Sequence, residues 1–396
     1  MPPPVAVSRP ASPPRPTSES ASKPPRPERI EPLDYLRGVL AFSVLLYHFV
    51  VWSGLTLPEL VHGVVYRTGV YAVLMFYVIS GTSFGYVYRR MSLDAGSLGS
   101  FWIKRYFRLA PLYWFALAAG LALLAALSGE LPSVRDVLLN VSLTFGVVDP
   151  AAYLVTGGWS IGNEMAYYVF FPFALLAIRR SGPWFALVLA GSVLLGAAYA
   201  FSWLTPAEPL DEQWATYIEP GSHLFYFVAG VALSSLLVAG RRLTAGQAAL
   251  ATAACILVYL ALAAVDGRAD NVVAVTGWRW AAYSAVCIAL VGVVALTPGQ
   301  LPSAAHAAFS WLGKVSYSVY LLHPVVWLYT QAGLQWTDSE IPTVLVALPL
   351  SLVAADLAYR LVEAPLITRG RGVADRYARW VEGRRGGTSD APPSQW

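Results

Sequence analysis

Two ionisable side chains, Arg37 and His48, lie in the first long apolar segment of the chain. Eleven residues are almost three turns of α-helix, so both side chains project from one helix face, roughly 16 Å apart along its axis. An ionisable group inside hydrocarbon costs about 3 kcal/mol on insertion scales, so we expect the pair to line a protein-filled or wet cavity. The pair is therefore the first indication of a functional site.

His48 has the chemistry of a general base, because an imidazole titrates close to neutral pH and can take a proton from a hydroxyl. Such a base needs an orienting partner on its other ring nitrogen, and Glu164, expected at similar membrane depth, is the candidate. Simpler interpretations stay open. His48 could be a structural hydrogen-bonding residue, and Glu164 a first-turn carboxylate favoured by the dipole of a helix that Ser160 caps.

Arg37 follows Asp34 by one helical turn, so it either forms an intrahelical ion pair or binds a phosphate or carboxylate entering from the cytoplasm. A later segment, residues 101–114, alternates basic and aromatic residues. It is either an interfacial helix anchored by Lys, Arg and Trp, or a binding site for a polyphosphate. Its three cations are Lys104, Arg105 and Arg108.

A third polar group lies late in the chain, where Ser316, Tyr320 and His323 follow one another at helical spacing and form one inward polar face. Pro324 removes a backbone hydrogen bond, so a kink is expected there, beside protein or a cavity. No residues have the spacing of a zinc site, so we expect no metal.

The segments that carry these residues have the composition of membrane spans. The chain is 57% hydrophobic and 13% charged, whereas soluble domains carry about 25% charged residues. Segments of about 20 apolar residues can cross a bilayer as helices, whose backbones satisfy their own hydrogen bonds. We therefore predict an all-α polytopic integral membrane bundle with ten spans: 33–52, 69–88, 109–128, 160–178, 183–203, 222–240, 245–265, 279–297, 313–333 and 341–361.

The basic residues indicate the orientation of this bundle. An even number of spans puts both termini on one side, where twenty Lys and Arg residues lie, against four on the other: Arg67, Arg135, Arg268 and Arg279. By the positive-inside rule both termini are cytoplasmic. The net charge of +4 is concentrated at helix ends and tails, so it does not indicate a nucleic-acid partner.

Three regions follow from composition. Residues 1–30 hold ten of the 28 prolines and almost no large apolar side chain, so we expect a disordered cytoplasmic tail. Residues 31–368 form the transmembrane domain. Residues 369–396 are an Arg-rich cytoplasmic tail, expected to form one short amphipathic turn followed by disorder.

Six motifs between about residues 31 and 366 resemble those of the membrane-bound acyltransferase family 3. The first is Leu-Asp-x-Leu-Arg-Gly with a histidine eleven residues after the arginine, met by Leu33, Asp34, Leu36, Arg37, Gly38 and His48. The second and third are met by Phe76, Ser80 and Gly81, and by Arg105, Arg108 and Pro111. The fourth is met by Trp159, Ser160, Glu164, Tyr168 and Pro172. The last two are met by Ser316, Tyr317, Tyr320, Leu321 and His323, and by Glu363 and Pro365.

The resemblance implies an O-acyltransferase that uses cytoplasmic acyl-coenzyme A, with acetyl as the default acyl group, and a carbohydrate or related hydroxyl as acceptor. It implies that Arg37, Lys104, Arg105 and Arg108 bind the donor phosphates. His48 is then the base or a transient acyl carrier, and Glu164 orients it. The residues expected to bind substrate or polarise the thioester carbonyl are Ser80, Trp159, Ser160, Tyr320 and His323; those expected to be structural are Asp34, Pro324 and Glu363.

Two other function classes stay open. Buried His, Glu and Arg in a ten-helix bundle with a kinked span also suit a proton-coupled transporter of a glycan or small polar solute. An accessory membrane protein without chemistry is the third class. For the enzyme, we expect a multi-pass location in a bacterial cytoplasmic membrane, and a lipid-linked sugar, a surface polysaccharide repeat or a glycosylated metabolite as acceptor.

Overall fold

The structure, a computed structural model, describes residues 30–299, 301–333 and 341–386. The disorder predicted for residues 1–29 and 387–396 lies outside the described residues. Within them the chain is helical and contains no strand. The α-helices are α1 Glu31–Ser53, α2 Glu59–Val87, α3 Ala95–Ser128, α4 Val134–Ser142, α5 Phe145–Val148, α6 Gly158–Arg180, α7 Gly182–Ala198, α8 Trp214–Tyr217, α9 Pro220–Val238, α10 Ala245–Asp266, α11 Val272–Val275, α12 Gly277–Leu296, α13 Ser303–Gly333, α14 Ile341–Ala358 and α15 Ala364–Gly386.

Over the part of the chain that the structure describes, nine helical stretches are long and apolar enough to cross a membrane. They coincide with nine of the ten predicted spans and confirm the all-α polytopic bundle. The end of the bundle at which α1 begins is called the inner end below, and the opposite end the outer end.

The tenth predicted span, 313–333, lies within α13, which is 31 residues long but not among the apolar stretches. Its polar residues Ser316, Tyr320 and His323 are buried against other helices. A helix surrounded by protein does not need an apolar surface, which explains the difference. The helix also continues through Pro324, so the predicted kink does not interrupt it.

The third span begins earlier than predicted, at Ala95 instead of residue 109. The Asp94 carboxylate caps this helix by accepting a hydrogen bond from the Ser97 backbone at 2.9 Å. Hydrogen bonds from the Ser92 hydroxyl and this backbone N–H lower the pKa of Asp94 to about 2. Since α3 is one continuous helix, the basic and aromatic segment 101–114 is its inner half.

A second helix covers that inner half. Tyr377 packs against Gly99, and Phe107 packs against Gly370, so α15 runs along the first turns of α3. The short amphipathic turn expected after Arg369 is therefore part of a 23-residue helix. The basic inner end of α3 lies between this helix and the rest of the bundle.

The centre of the bundle is formed by α1, α2, α9 and α13, which pack closely in the pairs α1–α13 and α2–α9. Gly38 and Gly313 allow the first pair to approach, because a Cβ atom on Gly38 would lie 2.7 Å from the Gly313 backbone nitrogen. This close packing brings His48 of α1 into contact with His323 of α13. On the same helix α1, Arg37 lines the cavity described below.

Candidate active site

A cavity of about 170 Å³ lies among five helices of the inner half of the bundle. Each of α1, α2, α3, α6 and α13 contributes lining side chains. The lining is polar for a membrane protein. Its polar residues are Arg37, Tyr77, Ser80, Ser83, Arg105, Arg108, Ser160, Glu164, Tyr168, Ser316, Tyr317 and Tyr320.

Arg37 forms the ion pair that its spacing suggested. Its Nη1 donates to Asp34 Oδ1 at 2.9 Å. The guanidinium also lines the cavity. The pair orients Arg37 without removing it from the site, which is consistent with the structural role predicted for Asp34, and Arg37 keeps further N–H donors.

Arg108 is held by the carboxylate of Glu363, which lies between α14 and α15. Glu363 is 2% exposed and accepts hydrogen bonds from Arg108 and, at 2.8 Å, from the Ser318 hydroxyl. The Arg108 guanidinium also lies 5.5 Å from the centre of the Tyr317 ring. Glu363 therefore links one of the cavity cations to Ser318 of α13, a contact consistent with the structural role predicted for it.

Arg105 is the least satisfied of the three arginines. Its Nη2 donates to the Tyr88 hydroxyl at 3.3 Å, and its guanidinium lies 5.1 Å from the Phe84 ring centre. Its buried Nε has no hydrogen-bond partner. In the described ranges, no carboxylate lies within ion-pair distance of it. A guanidinium has five N–H donors, so Arg105 has open capacity towards an anion in the cavity.

Lys104, which was predicted to bind the donor phosphates, lies outside this group. It does not line the cavity, and its Nζ lies 3.4 Å from Asp375 Oδ1 of α15. Consecutive residues on a helix point in directions about 100° apart, because there are about 3.6 residues per turn. The rotation that turns Arg105 inward therefore turns Lys104 towards α15.

Glu164 also differs from expectation. It lines the cavity and accepts hydrogen bonds from the Ser80 hydroxyl at 3.2 Å and the Tyr168 hydroxyl at 2.5 Å. It does not contact His48, so the predicted His48–Glu164 pair is wrong. The physical reason is the packing order, since the carboxylate faces α2 across the cavity while His48 faces α13.

His48 is paired with a second histidine. Its Nδ1 lies 2.9 Å from His323 Nε2, and His323 Nδ1 lies 2.9 Å from the Val319 carbonyl oxygen. The Trp52 ring stacks on His48 with centres 4.8 Å apart and planes inclined by 21°. His323 is 1% exposed, whereas His48 is half-buried. Two helices that are remote in sequence thus bring two imidazoles together.

The cavity and the histidine pair are separated by a layer of hydroxyl groups. Tyr320 Oη lies 2.8 Å from Ser160 Oγ, and both oxygens lie within hydrogen-bond distance of the Gly157 carbonyl oxygen, at 3.1 Å and 2.9 Å. The cavity lining includes Tyr320 and Ser160 but neither His48 nor His323. The cavity that Arg37 and His48 were both expected to line therefore includes Arg37 but ends at Tyr320, before His48.

Gly157 makes this layer possible. It precedes α6 with φ of 78°, a left-handed conformation that favours glycine. A Cβ atom there would lie 3.1 Å from Tyr320 Oη, tight against the hydroxyl. Since α6 begins at Gly158, Ser160 is already inside the helix, and the capping role considered for it is wrong.

Trp159 lies outside the cavity, contrary to its predicted role. Its ring centre lies 5.7 Å from that of Trp214 and 5.9 Å from that of Tyr217. As with Lys104, a neighbour in sequence faces another direction. Trp159 anchors α6 to the segment before α9 and leaves Ser160 to face α13.

Sequence reasoning overlooked several residues of the site. Tyr88 and Phe84 contact Arg105, and Ser83 lines the cavity beside them. Ser80, Phe84 and Tyr88 follow one another at intervals of four residues at the inner end of α2 and just beyond it, a spacing that could have indicated a shared face. Tyr168 was part of a motif, and its bond to Glu164 depends on the i, i+4 spacing within α6.

Comparison with known proteins identifies one family. A family model described as an acyltransferase domain, that of acyltransferase family 3, matches residues 30–360. The match covers all five helices that line the cavity and both histidines of the pair. No curated protein and no solved structure matches the chain significantly.

Proposed function

The chain belongs to acyltransferase family 3, and on this premise we propose that it moves an acyl group, acetyl by default, from cytoplasmic acyl-coenzyme A to a hydroxyl of a carbohydrate or glycosylated acceptor. That it is a membrane acyltransferase follows from the family and from its apolar helices. The donor, the acceptor and the residue roles below are the proposal. We further propose that it resides in a bacterial cytoplasmic membrane with its inner end towards the cytoplasm.

One observation carries the choice of donor, namely that three guanidinium groups converge on one cavity. Coenzyme A carries several phosphates, and arginine binds phosphate through paired N–H donors. Arg105 has donors without partners, and Arg37 and Arg108 each keep donors beyond their single carboxylate. The twenty cations on the predicted cytoplasmic side support access for the donor from that side.

The reaction requires a base beside the acceptor hydroxyl. We assign this role to His48, which takes the hydroxyl proton while the oxygen attacks the thioester carbonyl. A carbon–oxygen bond forms and the carbon–sulfur bond breaks, and the imidazolium returns the proton to the departing thiolate. The hydroxyls of Ser160 and Tyr320 are the candidates that donate hydrogen bonds to the carbonyl oxygen as it gains charge.

This assignment requires a movement. Tyr320 and Ser160 are bonded to each other and to Gly157 between the cavity and the histidine pair. The acyl end of the donor has to displace the Tyr320 hydroxyl to reach His48. The hydroxyls released by that displacement are then free to donate to the thioester carbonyl.

The test uses purified protein and acetyl-coenzyme A. We expect saturable binding by calorimetry, competition by coenzyme A and none by acetate. Inverted membrane vesicles from producing cells supply the acceptor, and transfer is measured as radiolabel in their carbohydrate fraction. Binding without selectivity for coenzyme A over acetate, or carbohydrate that is equally labelled in vesicles lacking the protein, would contradict the proposal.

His48→Ala is the mutation that tests the base. It removes the proton acceptor but leaves the cavity cations, so we expect transfer to fall by about 100-fold or more while acetyl-coenzyme A binding stays near that of the wild type. Trp52→Phe, which keeps an aromatic ring over the imidazole, is the matched control. Full transfer by His48→Ala would remove His48 from the mechanism.

A further inference from the structure

The hydrogen bonds of the histidine pair define where its protons lie. A carbonyl oxygen can only accept, so the bond between the Val319 carbonyl and His323 requires the proton on His323 Nδ1. In a neutral imidazole the other nitrogen is then an acceptor. His323 Nε2 therefore accepts from His48, and the 2.9 Å contact requires a proton on His48 Nδ1.

The same argument assigns the second nitrogen of His48. With the proton on Nδ1, a neutral His48 carries its lone pair on Nε2. That nitrogen lies on the edge of the ring that points away from His323. The base is then the nitrogen that has no bond to α13, and its orientation is set by the bond that the other nitrogen makes.

We propose that His323 is a positioning residue that holds His48 in the tautomer whose Nε2 takes the acceptor proton. This inference rests on the proposed function. The family resemblance implied that His323 binds substrate or polarises the thioester carbonyl; the role proposed here is a different one. When Nε2 takes the proton, the charged His48 ring keeps donating through Nδ1 to the neutral His323, and a hydrogen bond from a charged donor is stronger than a neutral one.

Packing supports this role because aromatic rings border both imidazoles. The ring centres of Trp52 and Phe49 lie 5.9 Å and 6.3 Å from that of His323, which is almost completely buried. Trp52 covers the face of His48. Glu164, the carboxylate predicted to orient His48, instead accepts hydrogen bonds from Ser80 and Tyr168.

The test compares two substitutions of His323. His323→Ala removes the acceptor for His48 Nδ1–H, so we expect transfer to fall by about 100-fold with acetyl-coenzyme A affinity within about twofold of the wild type. His323→Gln can accept through its amide oxygen and donate to Val319 through its amide nitrogen, so it should recover most of the lost rate. A Gln variant as slow as Ala would overturn the proposal.

A measurement that needs no turnover separates this inference from the proposed function. NMR of isotopically labelled imidazole nitrogens, with the His48 signal identified by its loss in His48→Ala, reports which nitrogen carries the proton. We expect Nδ1–H in the wild type and in His323→Gln, and a mixture of tautomers in His323→Ala. An Nε2–H tautomer in the wild type would overturn the inference, even if acyl transfer is confirmed. The expected tautomers together with absent transfer would overturn the proposed function alone.

Discussion

Two arginines, Arg67, which is buried near the outer end, and Arg105, which is half-buried at the inner cavity, have opposite surroundings. Arg67 is 0% exposed, and its guanidinium donates to the Ala269 and Asp270 carbonyls at 2.7 Å and 3.0 Å. It also donates to Asn271 Oδ1 at 2.6 Å. Arg105 has one hydrogen bond, to a tyrosine hydroxyl, and two aromatic faces.

The outer arginine belongs to a closed network. Asp266, which lies 3.5 Å from Arg67 Nε, also accepts from Arg279 at 2.6 Å and from the Tyr283 hydroxyl at 2.9 Å. Burying a charge is costly unless hydrogen bonds and counter-charge compensate for it. At Arg67 the protein supplies the compensation, whereas the described residues supply less of it at Arg105, the arginine that we propose binds the donor.

Burial of a cation therefore does not by itself mark a functional site. The Nε of each arginine lacks a hydrogen bond, but Arg67 Nε lies 3.5 Å from the Asp266 carboxylate and its other nitrogens make three hydrogen bonds, against one at Arg105. Arg67 joins the loop between α10 and α12 to α2 and has the environment of a structural residue. Arg105 has the environment of a residue that binds an anion.

The largest expected effect is that of Arg67→Ala. It leaves Asp266 without one of its cations and two loop carbonyls without donors, so we expect destabilisation of about 3–5 kcal/mol. Thermal unfolding in detergent measures this loss, and Arg67→Lys should lose less because the charge remains. An Arg67→Ala protein as stable as the wild type would show that the outer network is not structural.

Arg105→Ala should weaken donor binding and leave stability nearly unchanged. Hydrogen bonds to a charged group contribute about 1.5–3 kcal/mol, so we expect the acetyl-coenzyme A dissociation constant to rise roughly 10- to 100-fold. The unfolding midpoint should stay close to that of the wild type, because no carboxylate loses a partner. Calorimetric titration gives the first quantity. Unchanged affinity combined with lower stability would make Arg105 a second structural arginine.

Lys104→Ala should have the smallest effect and sharpens the contrast between neighbours. Its ion pair with Asp375 is partly exposed, and exposed pairs contribute about 0–1 kcal/mol. We expect unchanged acetyl-coenzyme A affinity and a minor change in unfolding midpoint. Any weakening of donor binding comparable to that of Arg105→Ala would place Lys104 in the site after all.

Sequence patterns predicted a large part of the fold. Nine of the ten predicted spans meet the length and hydropathy criteria in the described structure, because an apolar segment of about 20 residues is a local property. The same criterion fails for α13, whose Ser316 and His323 are polar and yet buried. Family motifs marked Arg37, Arg105, Arg108, Ser80 and Glu164, and the structure brings these five together around one cavity.

The motifs could not separate residues that line the cavity from neighbours that do not. Lys104 and Trp159 stand next to Arg105 and Ser160 in sequence, but each faces another helix. A sequence motif specifies spacing along one helix, whereas the rotation of that helix depends on what packs against it. That is also why the partner of His48 was predicted wrongly.

The amino-acid sequence alone determined that the chain is a helical membrane protein and which segments cross the membrane. It also showed which ionisable residues lie in apolar segments, where contact with lipid is unfavourable. Tertiary structure alone decided the partners: His48 with His323, 275 residues apart, Glu164 with Ser80, and Arg108 with Glu363. The physical reason is that each membrane helix satisfies its own backbone within its own segment. The choice of neighbour and rotation is left to side-chain packing, such as the close approach of α1 and α13 at Gly38 and Gly313.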